Sequence, residues 1–154
     1  MELSGDELAG IVDQFGALPP AALRSGIEET AFRVGVELDG ETVEEWIDEA
    51  KADFELLTVE HDDETLIVPG PRAFPEVPEA ASDLPHVLAE PTRTVPASAL
   101  ESGIRARLDE SVAAAETPER AHELIDVTYD AEAWAGIELA DVRDRLLDLA
   151  EGES

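Results

Sequence analysis

Apolar residues return along this chain at helical intervals three times before the pattern changes. Leu8, Ile11, Val12 and Phe15 form the first stripe, and its surroundings complete a helix. Ser4 with Glu7 three positions on makes a capping box, Leu3 can staple to Leu8, and Gly16 can close the end in a left-handed turn. Pro19 and Pro20 open a second helix that runs to about Val34 before Gly35, with Leu23, Ile27, Ala31 and Val34 on its inner side. A third starts at Asp39 as cap, with Leu38 stapling to Val43, and carries Val43, Trp46, Ile47, Ala50 and Phe54 on one face.

The period then shortens to that of strands. In FELLTVEHDDETLIVPG, residues 54 to 70, Leu56, Leu57 and Val59 lie on one arm and Leu66, Ile67 and Val68 on the other, around His61, Asp62 and Asp63. Two strands alone are marginal in water, so the hairpin must lean on a helical layer. Three helices followed by a hairpin is the order of a winged helix. Residues 3 to 70 therefore resemble the winged-helix superfamily in element order and spacing, without a residue motif.

Residues 69 to 96, PGPRAFPEVPEAASDLPHVLAEPTRTVP, hold seven of the ten prolines. Proline removes a donor and restricts its neighbour, which argues against regular helix or internal sheet. Phe74, Val77, Leu84, Val87 and Leu88 still give the segment apolar anchors, so it reads as an extended strap with a helical turn near Leu84 to Leu88. Beyond it the chain is helical again. Ser98 with Glu101 suggests a second capping box ahead of Leu100, Ile104, Leu108 and Val112. Thr117 and Pro118 start a helix with Ala121, Leu124 and Ile125, and a short segment around Ala133 and Trp134 leads to a last helix with Leu139, Val142, Leu146 and Leu149. Asp141 and Arg145 form an i,i+4 pair there. The stretches around Ala22 to Ile27 and Ala99 to Ile104 echo each other, raising the prospect of an internal duplication.

These elements predict a mostly helical α+β protein. Its expected parts are a winged-helix-like module at 1–70, a Pro-rich connector at 71–96 packed on the surface, and a C-terminal helical region at 97–154 packed with the first module as one unit.

Charge changes the picture most. Thirty-eight acidic residues oppose ten basic ones for a net charge of −28, and the acids are spread along the whole chain. Only Lys51 among the basic residues is lysine. Such self-repulsion opposes compaction in dilute buffer but is screened in molar salt, where the Debye length is about 3 Å. The expected setting is a halophile's cytosol. The lack of cysteine excludes disulfides, thiol nucleophiles and thiolate zinc sites. The N-terminal MELSGDELAG has no basic or apolar signal region, and no apolar run approaches membrane length, so a cytoplasmic location is expected.

Candidate chemistry is sparse. In a DNA-binding winged helix the third helix needs cations for phosphates, yet here it offers Glu41, Glu44, Glu45, Asp48, Glu49 and Asp53 against Lys51. Nucleic acid is thus a disfavoured partner. His122, Asp126 and Glu119 have a spacing that can hold a metal ion, but no second histidine lies near. Ser25 and Ser102 lack the glycines of a nucleophile elbow, and no phosphate-binding loop occurs. No catalytic residue, metal ligand or cofactor site is nominated. Phe74 beside the prolines and Trp134 are the candidate partner-binding residues, should they prove exposed.

LIVPGPRAFPEVPE and DLPHVL, residues 66 to 79 and 83 to 88, with LIDVTYDAEAWAGIELADVRDRL, residues 124 to 146, make the chain resemble a family of small, uncharacterised acidic proteins of halophilic archaea. The resemblance implies a cytosolic halophile protein and brings no activity. The leading expectation is a non-enzymatic interaction or regulatory module with another protein as partner. The alternative is a halophilic winged-helix transcription regulator, and a small enzyme comes third.

Overall fold

The computed structural model of the chain describes residues 2–152. It is α+β and mostly helical, in the order α1 (Gly5–Asp13), α2 (Pro20–Arg33), α3 (Gly40–Ala52), β1 (Leu56–His61), β2 (Glu64–Pro69), α4 (Leu84–Val87), α5 (Ala97–Ala114), α6 (Pro118–Ala135) and α7 (Ala140–Gly152), with a 3-10 turn at Glu79–Ala81. Two compact units divide it, the first ending at Val95 and the second starting at Pro96. Among the described residues no helix is long and apolar enough to cross a membrane.

In the first unit α1 starts with the reciprocal box that its sequence predicts. The Glu7 N–H donates to the Ser4 hydroxyl and the Ser4 N–H to the Glu7 carboxylate. Gly16, at φ 81, ends the turn after the helix. The link to α2 then runs beside the hairpin, where Leu18 and Ile67 exchange both backbone hydrogen bonds, at 3.0 and 2.7 Å. One residue thus serves as a third strand against β2. The strands pair Leu57 with Val68 and Val59 with Leu66, and Asp62 and Asp63 take φ 52 and 63 at the tip. Two left-handed residues make a primed turn, which short polar side chains accept. Phe15, Leu23, Ile27, Ile47, Leu56 and Ile67 meet in one core beneath it.

The third helix stops sooner than its stripe predicts. It ends at Ala52, and Phe54 reaches the core from beyond it at φ 59. Glycine or asparagine normally fills such a position, and a phenylalanine there costs about 1–3 kcal/mol of backbone strain. The ring is only 2% exposed, and burying it offsets the strain by about 1.5–3 kcal/mol.

The proline-rich strap belongs to the first unit and crosses α1. Asp6 accepts the Phe74 N–H on its carboxylate and the Glu76 N–H on its carbonyl. Gln14 donates to the carbonyls of Ala81 and Ser82, and the Arg93 N–H donates to Phe15 at 2.8 Å. Ala81 and Leu84 are buried, and Leu84 and Leu88 close over Gly26 of α2. Five consecutive residues of α1, Leu8 to Val12, are consequently buried, more than a single stripe would cover. The strap shields the face that the stripe leaves open.

The second unit packs α5, α6 and α7 together, and three sequence readings are corrected in it. Ser98 and Glu101 form no capping box. The helix begins two residues earlier than that reading needs, after Pro96, with no side-chain cap, and Glu101 instead pairs with Arg105. Ala133 and Trp134 are no separate segment, because α6 continues to Ala135 until Gly136 takes φ 65 and ends it. Asp141 and Arg145 do not pair with each other. Both reach across to α5, Asp141 to Arg105 at 2.9 Å and Arg145 to Asp109 at 2.6 Å, which ties two helices rather than one turn. A brace links α6 to α7 as well: Glu132 accepts the Leu139 N–H and pairs with Arg143 at 3.0 Å, and that guanidinium lies 4.1 Å from the Tyr129 ring centroid. The echo between α2 and α5 is not an architectural repeat. The first packs among helices, hairpin and strap, the second in a unit of helices alone.

Candidate interaction surface

The outer face of α3 carries Glu41, Glu44, Glu45, Asp48 and Glu49, all exposed, with Lys51 only half-buried among them. Arg24 of α2 leans on Glu44 at 2.7 Å, so even the neighbouring cation is committed. Arginines of both units sit in ion pairs with carboxylates, among them Arg24, Arg33, Arg93, Arg105, Arg143 and Arg145. Some of these pairs lie within one helix, and others hold elements to each other. Arg93, for example, ties the strap to Glu64 of β2 and to Glu90, both at 3.1 Å. A phosphate backbone approaching α3 or the Asp62–Asp63 tip would meet carboxylates.

A different surface opens where α2 turns into α3. The last turn of α2 places Ala31 inward and Phe32 about 100° further round, so the phenylalanine points to solvent. It is 73% exposed. Gly35, at φ 78, reverses the chain, and the Val36 N–H donates back to Ala31 at 2.9 Å. This folds the connector against α2 and forms a cleft of about 430 Å³ lined by Glu28, Phe32, Val36, Glu37, Leu38 and Asp39. Three apolar side chains, Phe32, Val36 and Leu38, share it with three acids, and every ionisable group on it is a carboxylate. Asp39 caps α3 through the Thr42 N–H at 2.8 Å, and that bond holds its carboxyl below the usual carboxylate range. The nearby Arg33 turns the other way, to Glu29, Asp83 and the Ala80 carbonyl.

The two residues singled out in the sequence have different fates. Phe74 is 81% exposed on the strap, while Trp134 is half-buried on α6 in the second unit. Phe32 and its cleft were not nominated. A signal was present, since a phenylalanine one step out of register with Leu23, Ile27 and Ala31 lies at the flank of the buried stripe; Val34, expected on the inner side, is itself 53% exposed. His122 and Asp126 lie exposed on α6, and among the described residues no group of three histidines and carboxylates is placed to hold a metal ion.

A second cleft, of about 350 Å³, lies between the start of α1 and α3, with Leu3, Trp46 and Ala50 inside a ring of acids. Glu55 is lodged there against Gly5, where a Cβ would strike its carboxylate. Burial, and then the charges of Asp6 and Asp53, push the Glu55 carboxyl above its ordinary range. A raised folded-state value means that the native state binds the proton more tightly than the unfolded chain, so Glu55 weakens the fold at neutral pH and relents as pH falls through that value. Glu55→Gln should raise the melting temperature at pH 7 and lose its advantage in acid. A lower melting temperature at pH 7 would show that the carboxylate is stabilising there.

Compared with known proteins, residues 6–151 match the model of a family of unknown function, DUF7109. No curated protein and no solved structure matches the chain.

Proposed function

Since the chain belongs to DUF7109, whose function is unknown, we propose its role from its surface: a non-enzymatic module that binds another protein in the salt-rich cytosol of a halophilic archaeon. The observation that carries this reading is the Phe32 cleft. Interface anchors are large apolar or aromatic side chains set within a polar rim, and here the exposed Phe32 stands beside Val36 and Leu38 among three carboxylates. The acidic outer face of α3 and the committed arginines speak against a nucleic-acid role for the same scaffold. Phe74 offers a second aromatic anchor on the strap.

A photo-crosslinking residue placed at position 32, and at the exposed Tyr129 as control, tests the reading in cells grown in high salt. One discrete protein adduct is expected from position 32 and none from 129, and the adduct should vanish with Leu38→Asp. Adducts equal at both positions, or none at 32, overturn it.

The setting has its own test. Thirty-eight carboxylates against ten cations repel one another until salt screens them. Thermal unfolding should therefore shift upward as KCl rises from millimolar to molar, and a melting temperature indifferent to KCl would remove the halophilic setting.

A further inference from the structure

Building on the reading of the Phe32 cleft as a partner site, we propose that its occupant is a cationic segment of another protein, with a bulky apolar side chain seated on Phe32, Val36 and Leu38 and flanking lysines or arginines meeting Glu28, Glu37 and Asp39. Charge complementarity is what selects this occupant. The three ionisable groups lining the cleft are all carboxylates, and no cation lines it to receive an acidic partner. Arg33, the closest in sequence, is drawn to Glu29 and Asp83 on the other side of α2. An acidic or neutral segment would leave desolvated carboxylates without partners, which costs binding.

A second copy of the chain is the poorest occupant. It would bring another −28 charges, and arginines it could offer, such as Arg24, Arg93, Arg105 and Arg143, already hold carboxylates of their own. Salt divides the labour within the site. In molar KCl the Debye length is about 3 Å, so the rim acts only at contact while the apolar seat keeps its strength. The seat then holds the segment and the rim chooses its sign.

The experiment is a titration of the full-length, isotope-labelled chain with three synthetic peptides of equal length. Each has the same Leu-Ile centre, flanked by arginine, by serine or by glutamate, and binding is followed through backbone amide shifts in submolar and molar KCl. The arginine-flanked peptide should shift Phe32, Val36 and Leu38 and bind at least about tenfold more tightly than the glutamate-flanked one. Phe32→Ser, an exposed change that leaves the core intact, should weaken it about tenfold or more at both salt levels. Glu28→Gln with Glu37→Gln should abolish the preference for arginine over serine flanks.

Three other outcomes are informative. If the serine or glutamate peptide seats equally well at Phe32, the cleft stands as a partner site and its cationic selectivity falls. If the arginine peptide instead spreads its shifts over the outer face of α3, vanishes in molar KCl and ignores Phe32→Ser, it is held by bulk charge, and both readings fall. No shift at the cleft from any of the three overturns both as well.

Discussion

Gly10→Ala should lift the strap off α1 and destabilise the first unit. Within a helix the change from glycine to alanine ordinarily stabilises by about 0.5–1 kcal/mol. At Gly10 the sign should reverse, because the new Cβ would stand 2.2 Å from the Glu76 carbonyl oxygen and 2.3 Å from its carbon. These are backbone atoms, so no side chain can swing aside. Either α1 shifts within a close-packed core or the strap moves, and overpacking of this kind costs about 1–3 kcal/mol. The strap is the weaker party, since the two bonds at Asp6 hold it there at the surface. Trypsin reads the result directly: Arg72 and Arg93 are the basic residues of this segment. A loss of about 1.4 kcal/mol in strap closure raises the open population tenfold, and cleavage follows that population when closing is fast. Cutting at Arg72 and Arg93 should therefore speed up about tenfold or more. Gly40→Ala is the control, for its Cβ would meet nothing within 4 Å, and there the ordinary gain is expected. Unchanged cleavage in Gly10→Ala would mean that the strap does not rest on α1 at all.

That approach also marks where sequence reasoning stops. Features closed within a few residues were legible: the Ser4–Glu7 box, the Asp39 cap, and the hairpin with its two-aspartate turn all rest on local geometry. Of the strap's expected anchors Leu84 and Leu88 reach the core, while Phe74, Val77 and Val87 stand exposed, and its path was not legible, because contact between Glu76 and Gly10 joins residues far apart and leaves only a glycine as its trace. Phe54 was misplaced on the helix for a related reason. Its spacing fits the α3 stripe, and nothing local announces that a phenylalanine will accept a left-handed backbone in exchange for burial. Asp141 and Arg145 were read as a pair within one helix, while the fold carries each across to another. Phe32 was readable in principle. Its position between Ala31 and Arg33 puts it off the stripe, and an off-register aromatic is a surface signal. Phe74 and Trp134 were nominated on neighbourhood alone, and the helix that runs on through Trp134 half-buries it.

Leu124→Ala should have the largest effect in the second unit. Leu124 is fully buried in α6, and deleting a buried leucine down to alanine costs about 2–5 kcal/mol. A helical unit of roughly 60 residues buries a smaller share of its surface than a larger domain and has little stability to spare, so the loss should move its urea midpoint down by about 1–2 M. The two tryptophans make the measurement selective, for Trp46 lies on α3 in the first unit and Trp134 on α6 in the second. Chains carrying Trp46→Phe or Trp134→Phe each leave one reporter. The Trp134 transition should fall with Leu124→Ala, and an unmoved midpoint would contradict a packed core around α6. The Trp46 transition then decides the expectation drawn from the sequence, that the two regions pack as one unit. If it falls in step, the chain unfolds as one cooperative body and the C-terminal helices support the winged-helix-like module. If it holds, the division at Val95 is energetic as well as geometric, and the Phe32 cleft works on a scaffold that needs nothing after the strap.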